Sequence, residues 1–243
     1  MLNKELFYET IKPFEINIDE DAFARLDKFA ELLIETNKSF NLTAIKEPDD
    51  VTVKHFADCL AIFKYVDIPE NAKIIDVGTG AGFPGIPLLI MRPDIDLTMI
   101  DSTAKKLKYV ENTVNELGLI ATTLHTRAEE AGQSKEYREK FDFVCSRAVA
   151  ALNVLCEYCL PFVKVGGRFI ALKGPDADRE RADAARGIGV LGGKISDVTA
   201  LTLPATPVEG VESMERRLVV VDKVKPTPAV YPRHGSKIAK KPL

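Results

Sequence analysis

The sequence predicts an α/β protein, with a mainly parallel seven-stranded sheet covered by helices on both faces and preceded by an N-terminal helical extension. Three observations carry this prediction. No strand pattern appears before Lys73, where the apolar residues recur at helical spacing. From Lys73 onward, short apolar runs alternate with amphipathic segments, a pattern that specifies a parallel sheet between helices. The first of these runs, KIIDVGTGAGFPG, is an apolar strand leading into a glycine-rich turn, where bare backbone can approach a ligand.

In order along the chain, Phe23, Leu26, Phe29, Ala30 and Leu33 predict a helix over 19–37, and Asp49 N-caps a second through Val53, Phe56, Leu60 and Phe63. NLTAIKEPDD between them is a polar connection interrupted by Pro48. Strands follow at 74–77, 97–100, 122–126, 141–145, 168–172, 198–203 and 218–223, and helices at 86–91, 104–117, 150–162 and 176–186. Residues 1–70 read as a helical extension packed on the core, and 71–243 as the main domain, the two forming one compact unit. With right-handed crossovers, ligands bind beyond the carboxyl ends of the parallel strands.

Composition narrows the class. Hydrophobic residues make up 46% of the 243 and charged residues 28%, enough for a sizeable core. No apolar run reaches the length of a membrane span and the first residues lack a signal-peptide core, so a cytoplasmic chain is expected. In that compartment Cys59, Cys145, Cys156 and Cys159 are reduced thiols. A net charge of −3 argues against a wholly basic coat for nucleic acid, yet the segment from Lys225 onward has no acidic residue and several Lys and Arg.

The glycine turn admits two ligands. GAGFPG satisfies the dinucleotide fingerprint G-x-G-x-x-G, which makes an NAD-dependent oxidoreductase one reading. Against it, Asp76 would meet pyrophosphate with like charge, and Pro84 has no N–H to donate. The overlapping pattern of Asp76, Gly78, Gly80 and Gly82 suits a ligand with an amino-acid end and no phosphate, its amine held by the carboxylate directly or through water. Asp101, closing the next strand, can accept hydrogen bonds from ribose hydroxyls in either class, or simply cap the following helix.

With these residues in place the chain resembles class I (Rossmann-like) methyltransferases, and more narrowly the RsmG (GidB) family of 16S ribosomal RNA guanine-N7 methyltransferases. The resemblance rests on NLTAI from Asn41, KHFADCL from Lys54, DVGTGAGFPGIPL from Asp76, IDSTAKK from Ile100, RAEE from Arg127, SRAVA from Ser146, ALKG from Ala171 and the terminal YPR…KKPL. It implies an S-adenosyl-L-methionine site at Gly78 and Phe83, with Gly80 and Gly82 shaping the backbone, Asp101, Ser102 and Thr103 bordering the ribose and adenosine, Ala128 and Glu129 flanking the adenine, and Arg147 just past the fourth strand. The implied product is S-adenosyl-L-homocysteine. The implied partner is 16S rRNA or the small ribosomal subunit, with the modified guanine in the 530 loop. No membrane or stable protein partner is implied, and a monomer is expected. Cys59 stands where the family usually has serine, and Ile238 where it has proline.

His55 and Asp58 share a helical face and, with Arg147, are substrate-side candidates; the alternative for each is a structural role. Lys173, Arg233, Lys237, Lys240 and Lys241 are candidate phosphate contacts. Cys156 and Cys159 form a CxxC without a second pair, so they read as core residues and no metal site is expected. Guanine N7 carries a free lone pair, so the implied reaction needs no general base, in keeping with the lack of a recognisable triad. A non-catalytic RNA-binding assembly protein with a vestigial pocket is the remaining reading.

Overall fold

A computed structural model describes residues 1–205 and 213–243. The chain opens with α1 (Lys4–Ile11), where the Asn3 side chain accepts from the Leu6 N–H at 3.1 Å. The sequence reading contains no helix here, because eight residues carry too little periodicity to register. Asp19 caps α2 (Glu20–Ser39) by accepting from the Ala22 N–H at 2.8 Å. Leu26, Phe29, Ala30 and Leu33 of α2 are fully buried on one stripe. The helix expected from Asp49 is a succession of short pieces: α3 (Pro48–Val51), a π-helical turn (Thr52–Ala57), α4 (Asp58–Leu60) and α5 (Ile62–Tyr65).

Among the described residues, seven strands then form one sheet: β1 (Lys73–Val77), β2 (Asp96–Asp101), β3 (Thr122–His125), β4 (Phe141–Arg147), β5 (Val163–Lys173), β6 (Gly193–Leu203) and β7 (Met214–Lys223). Their order is β3-β2-β1-β4-β5-β7-β6. Strands β1 to β5 pair in parallel, whereas β7 lies antiparallel between β5 and β6. Strand order reverses between β1 and β4, which opens a crevice at their carboxyl ends. Ile74, Ile75 and Val77 are all buried because helices cover both faces of β1.

The intervening helices are α6 (Gly85–Met91), α7 (Ala104–Glu116), α8 (Ala128–Ala131), α9 (Leu152–Cys159) and α10 (Ala177–Val190); α11 (Gly235–Lys240) lies in the C-terminal segment. One apolar cluster joins the extension, including Phe7, Phe29 and Phe56, to β1, β2 and α6. A second joins the opposite sheet face to α9 and α10, and holds Cys156 and Cys159. All four cysteines are buried and free, and among the described residues no group of side chains could hold a metal ion. None of the described helices is long and apolar enough to cross a membrane.

After β7 the chain folds back as a strap. Buried Lys223 donates to the carbonyls of Leu160 and Val163 at 2.7 and 3.0 Å, and pairs with Glu139 at 3.1 Å. Arg138 donates to the Tyr231 and Thr227 carbonyls, both at 2.7 Å. Farther on, Arg233 forms a two-pronged pair with fully buried Glu157, closest at 2.6 Å. Leu243 packs so close to Gly187 that a β-carbon there would lie 2.9 Å from its own.

Candidate active site

Between β1 and α6 the backbone turns through Gly78 and Gly82, with φ of +74° and +95°, a region that favours glycine. A β-carbon at Gly78 would lie 2.5 Å from Val149 Cγ2, so the loop after β4 covers the turn at close range. One at Gly82 would collide with Ile86, which turns this residue toward the core.

The N–H groups of Gly78, Thr79, Gly80, Gly82, Phe83 and Gly85 in the turn are bonded internally. Those of Gly78 and Thr79 donate to Ile100 O, and those of Gly82 and Phe83 to Thr79 O. Gly80 N–H donates to Asp101 Oδ2 at 3.0 Å, and Gly85 N–H to Asp76 Oδ2 at 3.0 Å. Pyrophosphate recognition by a glycine turn requires such donors free. This arrangement therefore disfavours the dinucleotide reading.

A cleft of about 500 Å³ opens over the turn. Gly78, Gly80 and Phe83 line it on one side, Asp101, Ser102 and Thr103 beyond β2, and Ala128 and Glu129 at the start of α8. Asp101 accepts from Gly80 and Thr103 N–H groups through different oxygens, leaving each a further lone pair. Glu129 is only 8% exposed, and its carboxylate makes no hydrogen bond to any described residue. As a lining residue of the cleft it can accept from a ligand donor.

The far wall comes from the extension. Phe83 stacks on His55 with centroids 4.5 Å apart, and the Arg147 guanidinium lies 5.0 Å from the Phe83 ring centre. Arg147 Nη2 donates to His55 Nδ1 at 2.7 Å, while Nη1 donates to Lys54 O and Asp58 Oδ2 at 3.0 and 3.3 Å. Because arginine only donates, His55 Nδ1 must accept, so its proton sits on Nε2 and is given to Thr43 Oγ1 at 3.0 Å. Burial, then the Arg147 charge, holds the His55 pKa well below its ordinary value, so the ring stays neutral. The Arg147 Nε–H has no partner among the described residues.

The cleft thus gathers His55, Arg147 and most of the expected cofactor positions, but not Asp76, Gly82 or Asp58. Asp76 is fully buried beneath the turn, where it accepts from Thr79 Oγ1 at 2.7 Å and from Gly85 N–H; it braces the loop and cannot reach a ligand amine directly. Asp58 is buried against Arg147 and Arg216, at 3.3 and 3.5 Å.

Two expected phosphate contacts have partners within the protein. Lys173 is enclosed, donating to Ala150 O at 2.8 Å and pairing with Glu180 at 2.8 Å. Arg233 is committed to Glu157. Lys237, Lys240 and Lys241 are exposed, without ion pairs among the described residues. Sequence reasoning missed Thr43, Lys106, Arg127, Val149 and Tyr158, all of which line the cleft. Thr43, Lys106, Arg127 and Val149 fall inside the motif blocks NLTAI, IDSTAKK, RAEE and SRAVA, which was the available signal.

These groups fit S-adenosylmethionine: acceptors for hydroxyl and amino donors, an arginine for a carboxylate, and no free cradle for pyrophosphate. The profile of the GidB family, described as rRNA small subunit methyltransferase G, matches residues 22–207. The chain belongs to the GidB family. A relative from Desulforamulus reducens, named ribosomal RNA small subunit methyltransferase G, is 48% identical and aligns over 97% of this chain and 96% of its own. One of the same name from Lactobacillus johnsonii is 44% identical over the full length of both. Among solved structures, this GidB chain shares its fold with a SAM-dependent O-methyltransferase from Thermotoga maritima (18% identity, TM-score 0.50, covering 79% of this chain and 71% of that one). TrmN from Thermus thermophilus is similar (15% identity, TM-score 0.51, covering 71% and 53%). The GidB fold is that of class I methyltransferases.

Proposed function

We propose that this chain transfers a methyl group from S-adenosyl-L-methionine to N7 of a guanine in 16S ribosomal RNA, in the 530 loop of the small subunit. The observation that carries the reading is the cleft itself: most N–H groups of the turn are engaged internally, while Asp101 keeps a further lone pair on each oxygen and the Glu129 carboxylate accepts from no described residue. Family membership supplies the class of acceptor.

In this reading Asp101 accepts the ribose hydroxyls and the Glu129 region flanks the adenine. Arg147 directs its remaining donor at the amino-acid carboxylate. When bound, the cofactor supplies an electrophilic methyl group on a sulfonium centre. His55 cannot serve as a base, since Arg147 occupies its one lone pair and Thr43 its proton. N7 loses no proton on methylation, so none is required. The chain's task is to hold an unstacked guanine in line and to tolerate the positive charge it gains, which the cleft carboxylates favour. A looped target follows from the closed major groove of A-form RNA.

The test is transfer of labelled methyl from S-adenosylmethionine to 16S rRNA and to small subunits, with the modified base mapped. Label on N7 of a 530-loop guanine is expected. Label on a ring carbon or ribose would overturn the N7 assignment, and no label on either substrate would overturn the function.

A further inference from the structure

Several cations around the cleft lie outside the ion pairs of the described residues. Lys106 and Arg127 line it, yet neither forms an ion pair among the described residues. Lys106 and its exposed neighbour Lys105 stand in the first turn of α7, which contains no acidic residue. A helix N-terminus already carries positive potential and favours acids there, so two lysines work against helix stability while concentrating positive field at the cleft rim.

A second group lies beside them. Gly235, at the start of α11, abuts the Glu129 carboxylate so closely that a β-carbon would collide with it. This places α11 next to the segment that begins at Arg127. The helix and its end expose Lys237, Lys240 and Lys241, and no acid occurs from Lys225 onward. Exposed Glu130 is the acid beside the band.

We propose that Lys105, Lys106, Arg127, Lys237, Lys240 and Lys241 form one track for an RNA phosphodiester backbone, which leads the acceptor base into the cleft. The inference rests on the proposed function and revises its surface: Lys173 and Arg233 hold the protein together, and Lys106 and Arg127 take their place. Apart from Lys105, whose ammonium lies over the Phe40 ring at 4.1 Å, these cations have no ion pair or ring partner among the described residues to displace, whereas the enclosed pairs would each have to break a buried contact first.

The test is binding of fluorescein-labelled 16S rRNA to the full chain, with S-adenosylhomocysteine present, across a potassium chloride series. Lys106→Gln and Arg127→Gln should each reduce the slope of log affinity against log salt by about 0.7, and the triple change Lys237→Gln, Lys240→Gln and Lys241→Gln by roughly 2. Lys194→Gln, on exposed β6, should leave the slope at the wild-type value. Calorimetry with S-adenosylhomocysteine should give the triple variant wild-type affinity. Slopes unchanged in the Lys106 and Arg127 variants, or lowered equally by Lys194→Gln, would overturn the track. If those slopes fall but wild type transfers no methyl to RNA, the track stands and the methyltransferase reading fails.

Discussion

Asp76 is a carboxylate without an exposed atom. Its Oδ2 ties Thr79 and Gly85 into the turn, and Oδ1 has no partner. Burial pushes its pKa up to about 6, from an ordinary 3.8. The folded state therefore holds this proton more tightly than the unfolded chain, so stability is lost as pH rises from about 4 through 6. Asp76→Asn, which keeps an acceptor for Gly85, should be more stable than wild type by about 3 kcal/mol at pH 8, with the advantage shrinking towards pH 4. Urea titrations at the two pH values decide it; an equal difference at both would show that Asp76 does not titrate in this range. The sequence showed an acid at the end of a strand, but not which way it faced. On a strand covered on both sides, period two gives no solvent face to read.

At the scale of elements, the strap shows what charge in a sequence conceals. Arg233 and Lys173 read as free cations, because their acidic partners, Glu157 on α9 and Glu180 on α10, lie on other elements. The partner appears only once the chain has folded. Arg233→Ala leaves buried Glu157 without its counter-charge, holding only the backbone N–H of residue 233, and should lower stability by about 3 kcal/mol in urea titration. Glu157→Leu combined with Arg233→Met should recover much of that loss, whereas additive losses would mean the pair does not act as a unit. Long strands were also shortened in the sequence reading. β5 begins at Val163, ahead of its two glycines, and β6 at Gly193, where polar side chains of an edge strand dilute the apolar signal.

For the whole molecule, the alternation of strands and helices was legible because each buried strand is a compact apolar run. The intimacy of extension and sheet was not, since it depends on contacts among distant residues. Phe29 and Phe56 pack on Phe83 with centroids 4.9 and 5.8 Å apart, within the cluster that reaches β1 and β2. Residues 1–66 should therefore not unfold separately. Far-UV dichroism and tyrosine fluorescence, which the lack of tryptophan leaves as the main intrinsic emission, should give coincident denaturation curves. A truncation starting at Asp67 should show no cooperative transition; a sharp one would make the extension dispensable.

The place of β7 has a consequence for biosynthesis. Because β7 is inserted between β5 and β6, and β6 pairs with no other strand among the described residues, a nascent chain that has completed β6 has nowhere to dock it. The parallel half can assemble as it leaves the ribosome, from the N-terminus onward. The other half must wait for Lys223, with the free borders of β5 and β6 open to foreign strands meanwhile. A message truncated before Met214 would thus yield a sticky product, and the last strand made is the one that seals the sheet.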